Sequence, residues 1–350
     1  MNEMFSTLRI KVLAPIGLAL VVLVGLSGWR VSGWSFGPEL VKIAGTTMGT
    51  TYHISWIGDA DQAEQIQAEI DQRLVAVNRS MSHYQSDSLI SQFNASSSTA
   101  PMTIDEDFAI VMAESLWLSQ VTDGALDVTI APLIDLWGFG PQGQVDRAPS
   151  SREMATALMM VGMDKLTLTD KALAKSDPLL TLNFSAIAKG YGVDVVADLL
   201  EQHDIGNYMV EIGGELRIRG TKLDEQPWRI AVERPDPNGR QIFEVIEPGN
   251  NAVATSGDYR NFFEQDGIRF SHLIDPRSGK PITNRLASVT VITASSMRAD
   301  GLATAFSVMG KEASLAYAEA NNLAVMLIEK RLDGEFDTAY SSAFKPFLAD

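Results

Sequence analysis

The sequence predicts an α+β protein, and three observations lead there. Helical and strand-like segments are mixed without a regular β-α-β alternation. The C-terminal half is rich in strand-like runs. The 350-residue chain is 45% apolar and 21% charged, an ordinary globular composition that can bury a sizeable core.

The elements follow in chain order. Val12–Trp29 is an eighteen-residue run without a charge, preceded by Arg9 and Lys11. As a helix rising 1.5 Å per residue it is long enough to cross a bilayer core of roughly 30 Å. Basic residues on its N-terminal side favour keeping that side in the cytoplasm. Residues 1–30 are therefore expected to be a signal peptide or an N-terminal apolar helix anchoring the chain. The uncleaved anchor is preferred, because no small-x-small cleavage site follows. The body is then expected at a bacterial inner membrane on the periplasmic side, or in the periplasm if the segment is cleaved. Residues 31–43 read as a tether and 44–350 as the folded domain.

Gly45–Trp56 reads as a strand. Asp59 caps a helix whose apolar residues Ala63, Ile66, Ile70, Leu74 and Val77 recur at helical spacing. Ser80–Ser98 is a polar loop. A helix over Asp105–Val121 stops at Asp123-Gly124, and Asp127–Pro141 is apolar, ending in Trp137-Gly138-Phe139-Gly140-Pro141. Ser151–Val161 is a helix. Strands at Lys165–Thr169 and Leu179–Phe184 lead into a helix over Ile187–His203. Tyr208–Ile212, Glu215–Gly220, Trp228–Glu233 and Gln241–Ile246 look like a meander, continued by Ala252–Ser256, Tyr259–Glu264 and Phe270–Ile274. Ala287–Thr293 is a strand feeding a helix at Arg298–Met309. A helix at Ala313–Asn321 and a strand at Ala324–Glu329 close the list.

Charge narrows the function. The formal net charge is -16; Arg9, Lys11 and Arg30 against Glu3 give residues 1–30 a charge of +2, so the remainder carries -18. Such a surface repels nucleic acid, which is excluded as a partner. Any phosphate ligand then needs local positive potential from a metal, a lysine or a helix N-terminus. The chain has no cysteine, which excludes disulfides, thiolate metal sites and a lipidated N-terminal cysteine.

Three segments carry candidate chemistry. In Ala299-Asp300-Gly301-Leu302-Ala303-Thr304-Ala305, Asp300 and Thr304 lie one helical turn apart, two oxygen donors suited to a hard cation. The same pair is equally a capping Asp with a buried Thr. In Asn183-Phe184-Ser185-Ala186-Ile187-Ala188-Lys189-Gly190, small residues open a helix where backbone amides and Lys189 can meet phosphate. The plainer alternative is a turn with an exposed lysine. In Ser271-His272-Leu273-Ile274-Asp275-Pro276-Arg277, His272 is one of four histidines and a candidate general base, or a structural histidine held by a neighbour. Two further Gly-bearing turns, Gly45–Thr50 and Glu211–Glu215, either approach a ligand or are hairpin turns.

Taken together and in order, these segments resemble the FAD:protein FMN transferases, the ApbE family. The resemblance runs from Gly45 to about Glu329. It rests on Thr47-Met48-Gly49-Thr50, Ser82-His83-Tyr84, Asp123-Gly124-Ala125-Leu126-Asp127-Val128-Thr129, and Leu136-Trp137-Gly138-Phe139-Gly140. It continues with Ala186–Tyr191, Gly213-Gly214-Glu215, Ser271–Pro276 and Ala299–Ala305.

The resemblance implies two intimately associated α/β lobes with FAD bound between them. It implies Mg²⁺-dependent transfer of FMN from FAD to a Thr or Ser hydroxyl of a target protein, releasing AMP. The implied metal ligands are the Ala186 carbonyl, Asp300 and Thr304. The implied FAD contacts are Met48, Tyr84, Ala125, Leu126, Asp127, Lys189 and Ile274, with Asn183 standing where relatives often carry Asp. His272 is the expected base, oriented by Asp275. The partners implied are FAD and an acceptor protein with a Thr/Ser flavinylation motif, a subunit of a membrane redox complex. Two alternatives remain: an FAD pyrophosphatase, and a flavin-binding protein without turnover.

Overall fold

The opening hairpin shows how local chemistry shapes the fold. β1 (Glu39–Thr47) and β2 (Thr50–Gly58) pair antiparallel around a two-residue turn, Met48-Gly49. Both turn residues have positive φ, 49° and 72°, the geometry whose twist matches paired strands. The expected single strand Gly45–Trp56 is thus two, and Glu39–Ile43 of the expected tether is hydrogen-bonded sheet.

The computed structural model describes residues 37–349 apart from 141–142, 144–146, 237–238, 240, 258–261 and 266–267. The apolar run Val12–Trp29 lies outside the described residues. Among the described residues no helix is long and apolar enough to cross a membrane.

After β2 come α1 (Ala63–Met81), α2 (Leu89–Ala95), β3 (Met102–Thr103), α3 (Glu106–Val121), α4 (Ala131–Leu136), α5 (Ser151–Leu158), β4 (Leu166–Thr169), β5 (Ala172–Lys175) and α6 (Ala188–Gln202). The strand-rich half contains β6 (Tyr208–Ile212), β7 (Glu215–Arg219), β8 (Ile230–Glu233), β9 (Ile242–Ile246), β10 (Ala252–Gly257), β11 (Phe262–Gln265), β12 (Ile268–Ser271), β13 (Ile274–Asp275), β14 (Lys280–Pro281) and β15 (Leu286–Thr293). α7 (Ser296–Met309), α8 (Lys311–Ala320), β16 (Ala324–Lys330) and β17 (Phe336–Tyr340) complete the chain.

Eight strands form one antiparallel sheet in the order β1-β2-β6-β7-β10-β15-β16-β17. Side chains alternate across it. On one face Tyr52, Ile54, Tyr208 and Val210 pack against Ile66, Ile70 and Leu74 of α1 and Val193 and Val196 of α6. Further along the same sheet Val289, Val291, Val325 and Leu327 meet α7 and α3. Their alternates Val253, Ile292, Met326 and Ile328 face the other way, toward Val232, Ile246 and Phe344. Residues from Pro38 onward form one compact unit on this sheet.

Several elements differ from expectation for physical reasons. The meander breaks after β7: β8 and β9 form a separate two-stranded sheet, and β10 takes the place beside β7. Leu179–Phe184 is not a ladder strand, and Leu179 lies in a turn closed by Leu180 N donating to Asp177 O. There the Asn94 side chain does a strand's work, donating to Leu182 O at 2.9 Å and accepting from Leu182 N at 2.7 Å. The expected polar loop holds α2, capped by Ser88 and buried through Ile90 and Phe93. The expected strand at Tyr259–Glu264 lies partly outside the described residues, and β17 was not expected.

Candidate functional site

α6 begins at a tight turn. The Asn183 side chain accepts from Ser185 N at 2.8 Å, and Ala188 N donates to Phe184 O, so the chain enters the helix with Ala186 and Lys189 on a cavity wall. α7 crosses α6 closely at Gly190, where an added Cβ would lie 2.7 Å from Met297 Cα. That approach lets Gly190 N donate to Asp300 Oδ2 at 3.0 Å. Asp194, one turn further along α6, accepts from Ser296 N, Met297 N and Ser295 Oγ at 2.8–2.9 Å, which caps α7 from outside. The two helix starts are therefore pinned together at two levels.

A cavity of about 340 Å³ lies beside this junction. It is lined by Asp300 and Thr304 of α7, by Asn183, Ser185, Ala186 and Lys189, and by Ala125, Leu126 and Asp127. Across it stand His272, Leu273 and Ile274, with Thr255 and Ser256 from the end of β10 and Glu215 from the start of β7. A second cavity, about 1080 Å³, shares Ser185 and Lys189 with it and runs out along Met48, His83 and Tyr84. Tyr84 is 73% exposed at that rim, its ring 4.1 Å from that of His83. Met48 sits at the positive-φ turn, its side chain over Gly192.

The electrostatics are those of a buried polar site. Asp300 is 4% exposed, and burial raises its carboxyl above the ordinary Asp range, against the pull of Lys189 and the Gly190 amide. Burial likewise raises Asp127, whose Oδ1 accepts from Thr129 N and Oγ1. Burial lowers His83. Lys189 donates to Glu215, a carboxylate only 3% exposed.

Asp300, Thr304 and the Ala186 backbone fit a hard cation. All three line the smaller cavity, and between them they carry a carboxylate, a hydroxyl and a backbone carbonyl, the oxygen donors such an ion takes. No cluster of three His, Cys, Asp or Glu side chains suited to a metal occurs among the described residues. A site with one carboxylate suits a metal completed by substrate phosphates.

Of the thirteen residues expected at the site, ten line the smaller cavity and Met48 and Tyr84 line the larger. Asp275 is the exception. Its Oδ1 accepts from Arg277 N and Nε, and its Oδ2 from the guanidinium at 3.2 Å. The carboxylate holds Arg277 and its own turn, not His272; His272 instead lies edge-on to Phe139, ring centroids 6.3 Å apart. Two residues with no role expected from the sequence also stand here: Glu215, within the Gly213-Gly214-Glu215 motif, and Asp194. The signal for Glu215 was its place after Gly213-Gly214, two positive-φ residues at a β-turn.

An α/β protein whose concave surface joins a lysine, a helix start and a buried carboxylate to a broad apolar cleft has the layout of a phosphorylated-ligand enzyme. Residues 48–327 match the model of the ApbE family, and the chain belongs to that family. It is 50% identical over 322 residues to the FAD:protein FMN transferase of Vibrio cholerae, covering 91% of this chain and 96% of that one. It is 46% identical to the enzyme of the same name from Haemophilus influenzae, with 88% and 91% covered. The solved structure of the flavin transferase ApbE from Vibrio cholerae superposes with a TM-score of 0.83 at 48% identity, covering 89% of this chain and 100% of that one. The apo form of the Pseudomonas stutzeri flavinyl transferase ApbE gives 0.82 at 39% identity, with 89% and 98% covered.

Proposed function

We propose that this protein transfers FMN from FAD to a Thr or Ser hydroxyl of a target protein, releasing AMP. One observation carries the reading: Lys189, the Ala186 wall and Asp300–Thr304 converge on a cavity that opens into the larger cleft with Met48 and Tyr84. A dinucleotide is long enough to need both spaces, with its pyrophosphate at their shared edge, Ser185 and Lys189.

In this reading the target hydroxyl attacks the FMN phosphorus. The new P–O bond joins FMN to the target, and the bond to the AMP oxygen breaks. His272 takes the hydroxyl proton. Lys189 holds the phosphates, since phosphoryl transfer depends chiefly on positioning and charge neutralisation. Ala186, Asp300 and Thr304 would hold Mg²⁺, which supplies charge neutralisation at the pyrophosphate when bound.

The target is a protein carrying a Thr/Ser flavinylation motif, a subunit of a membrane redox complex. The chain works on the periplasmic side of the inner membrane, held there by Val12–Trp29; the uncharged run after Arg9 and Lys11 supports this.

Purified protein with FAD and Mg²⁺ is to be assayed for AMP release, with and without an acceptor protein, and the acceptor's intact mass measured. FMN added to the acceptor is expected, and His272→Ala should lower transfer by about 10²–10⁴-fold while FAD still binds. AMP formed equally without acceptor, and no mass added, would replace transfer with FAD hydrolysis.

A further inference from the structure

Glu215 differs from every other carboxylate of the site. It is 3% exposed, on the wall of the smaller cavity. One of its oxygens, Oε1, takes the Lys189 ammonium. The other, Oε2, is buried and has no hydrogen-bond partner among the described residues. Buried carboxylate oxygens are normally matched by donors, and an unpartnered one on a residue that lines a cavity marks a place that a ligand completes.

The chemistry of the missing partner can be narrowed. Lys189 already balances the charge, so what Oε2 lacks is a donor rather than a cation. Phosphate oxygens accept and carry negative charge, so the pyrophosphate itself is excluded. Alcohol groups donate, and a flavin dinucleotide carries them on both sides of its pyrophosphate, on the ribityl chain and on the ribose. An acceptor hydroxyl arriving from solvent is disfavoured, because Glu215 lies beneath the surface, behind the part-exposed Lys189.

We infer that Glu215 is a nucleotide-binding residue: Oε1 fixes Lys189 for the phosphates, and Oε2 accepts a hydrogen bond from a sugar-chain hydroxyl adjoining the pyrophosphate. The inference rests on the FAD reading and deepens it. It also bears on why the turn before β7 carries a glycine at 213. Gly213 carries φ 58° and an added Cβ there would lie 3.4 Å from Lys189 Cδ and 2.8 Å from Thr50 Cγ2, so the turn must be bare for Glu215 and Lys189 to meet.

Glu215→Gln and Glu215→Asp are to be compared with the wild-type chain for binding of FAD and FMN, by flavin fluorescence, and of ADP, by competition. Melting temperatures are recorded alongside. The Gln variant should bind FAD about 10- to 100-fold more weakly, the range of a hydrogen bond to a charged group, without melting earlier. Weaker FMN binding with ADP unchanged assigns the ribityl chain; weaker ADP binding with FMN unchanged assigns the ribose; either supports the inference. The Asp variant keeps the charge but withdraws the oxygen, so it should also bind weakly, and it decides the matter if the Gln variant does not fold. Unchanged affinity for all three ligands in a folded variant, or full affinity in the Asp variant, overturns the inference. A wild-type chain that binds none of them instead sinks the FAD reading itself.

Discussion

The backbone amide of Gly190 donates to Asp300 Oδ2 across 3.0 Å, so the start of one helix is bonded to a buried acid on another. The contact exists because Gly190 has no Cβ where α6 and α7 cross. Gly190→Ala would drive a methyl into Ser296 O and to 2.7 Å from Met297 Cα. Backbone atoms cannot swing aside as a side chain does. The variant should lose about 1–3 kcal/mol of stability and most Mg²⁺-dependent AMP release. Thermal melts and a Mg²⁺ titration check both; a wild-type response in each would show that the two helices can part without harm.

Asp300→Asn separates function from stability. Burial raises the folded pKa of Asp300, so its stabilising contribution is fully present below the unfolded value, about 3.9, and is lost as pH rises through the folded one. The neutral amide of Asn carries no such pH-dependent cost. The variant should melt no lower than wild type at pH 7 and yet lose Mg²⁺-dependent activity. Full activity would remove Asp300 from the metal site.

Asp194→Ala should cost about 0.5–2 kcal/mol, the scale of a lost helix cap. Three donors at the start of α7 lose their acceptor. The loss stays at that scale because Arg217 keeps Asp198 at 2.9 Å and Glu201 at 3.4 Å. Denaturant unfolding measures it, and a loss of several kcal/mol would mean that Arg217 depends on Asp194 far more than its other partners imply.

The membrane reading has a direct test in fractionation of cells making the full chain. Recovery of the intact protein with the inner membrane, body protected from cytoplasmic protease, is expected. Full-length protein in the soluble cytoplasm would end the idea, and a periplasmic form shortened by about 30 residues would mean a cleaved signal.

The protein should flavinylate other chains and not itself. The sequence contains no Ser/Thr-Gly-Ala-Thr-like string; the nearest, Asp123-Gly124-Ala125-Leu126, lacks the hydroxyl. Ala125 and Leu126 are both 2% exposed, on the cavity wall rather than offered outward. After incubation with FAD and Mg²⁺, the intact mass of the denatured protein should be unchanged. An added FMN would overturn this.

The sequence by itself determined the elements whose signals are local. The spacing of Ile66, Ile70, Leu74 and Val77 made α1 legible, and Asp105 marked the start of α3, because helix periodicity and capping are set within a few residues. The ordered motifs were legible for the same reason, each being a short string, and most of the residues they named line the two cavities. Tertiary structure alone decided what depended on distant partners. Asn94 replaces a strand neighbour for Leu182, which no local pattern encodes. Glu215 and Lys189 are 26 positions apart and meet only because β7 and α6 pack together. Burial then turned a common ion pair into one with an unpartnered buried oxygen, since the loss of water is a property of the packed fold and of no single residue.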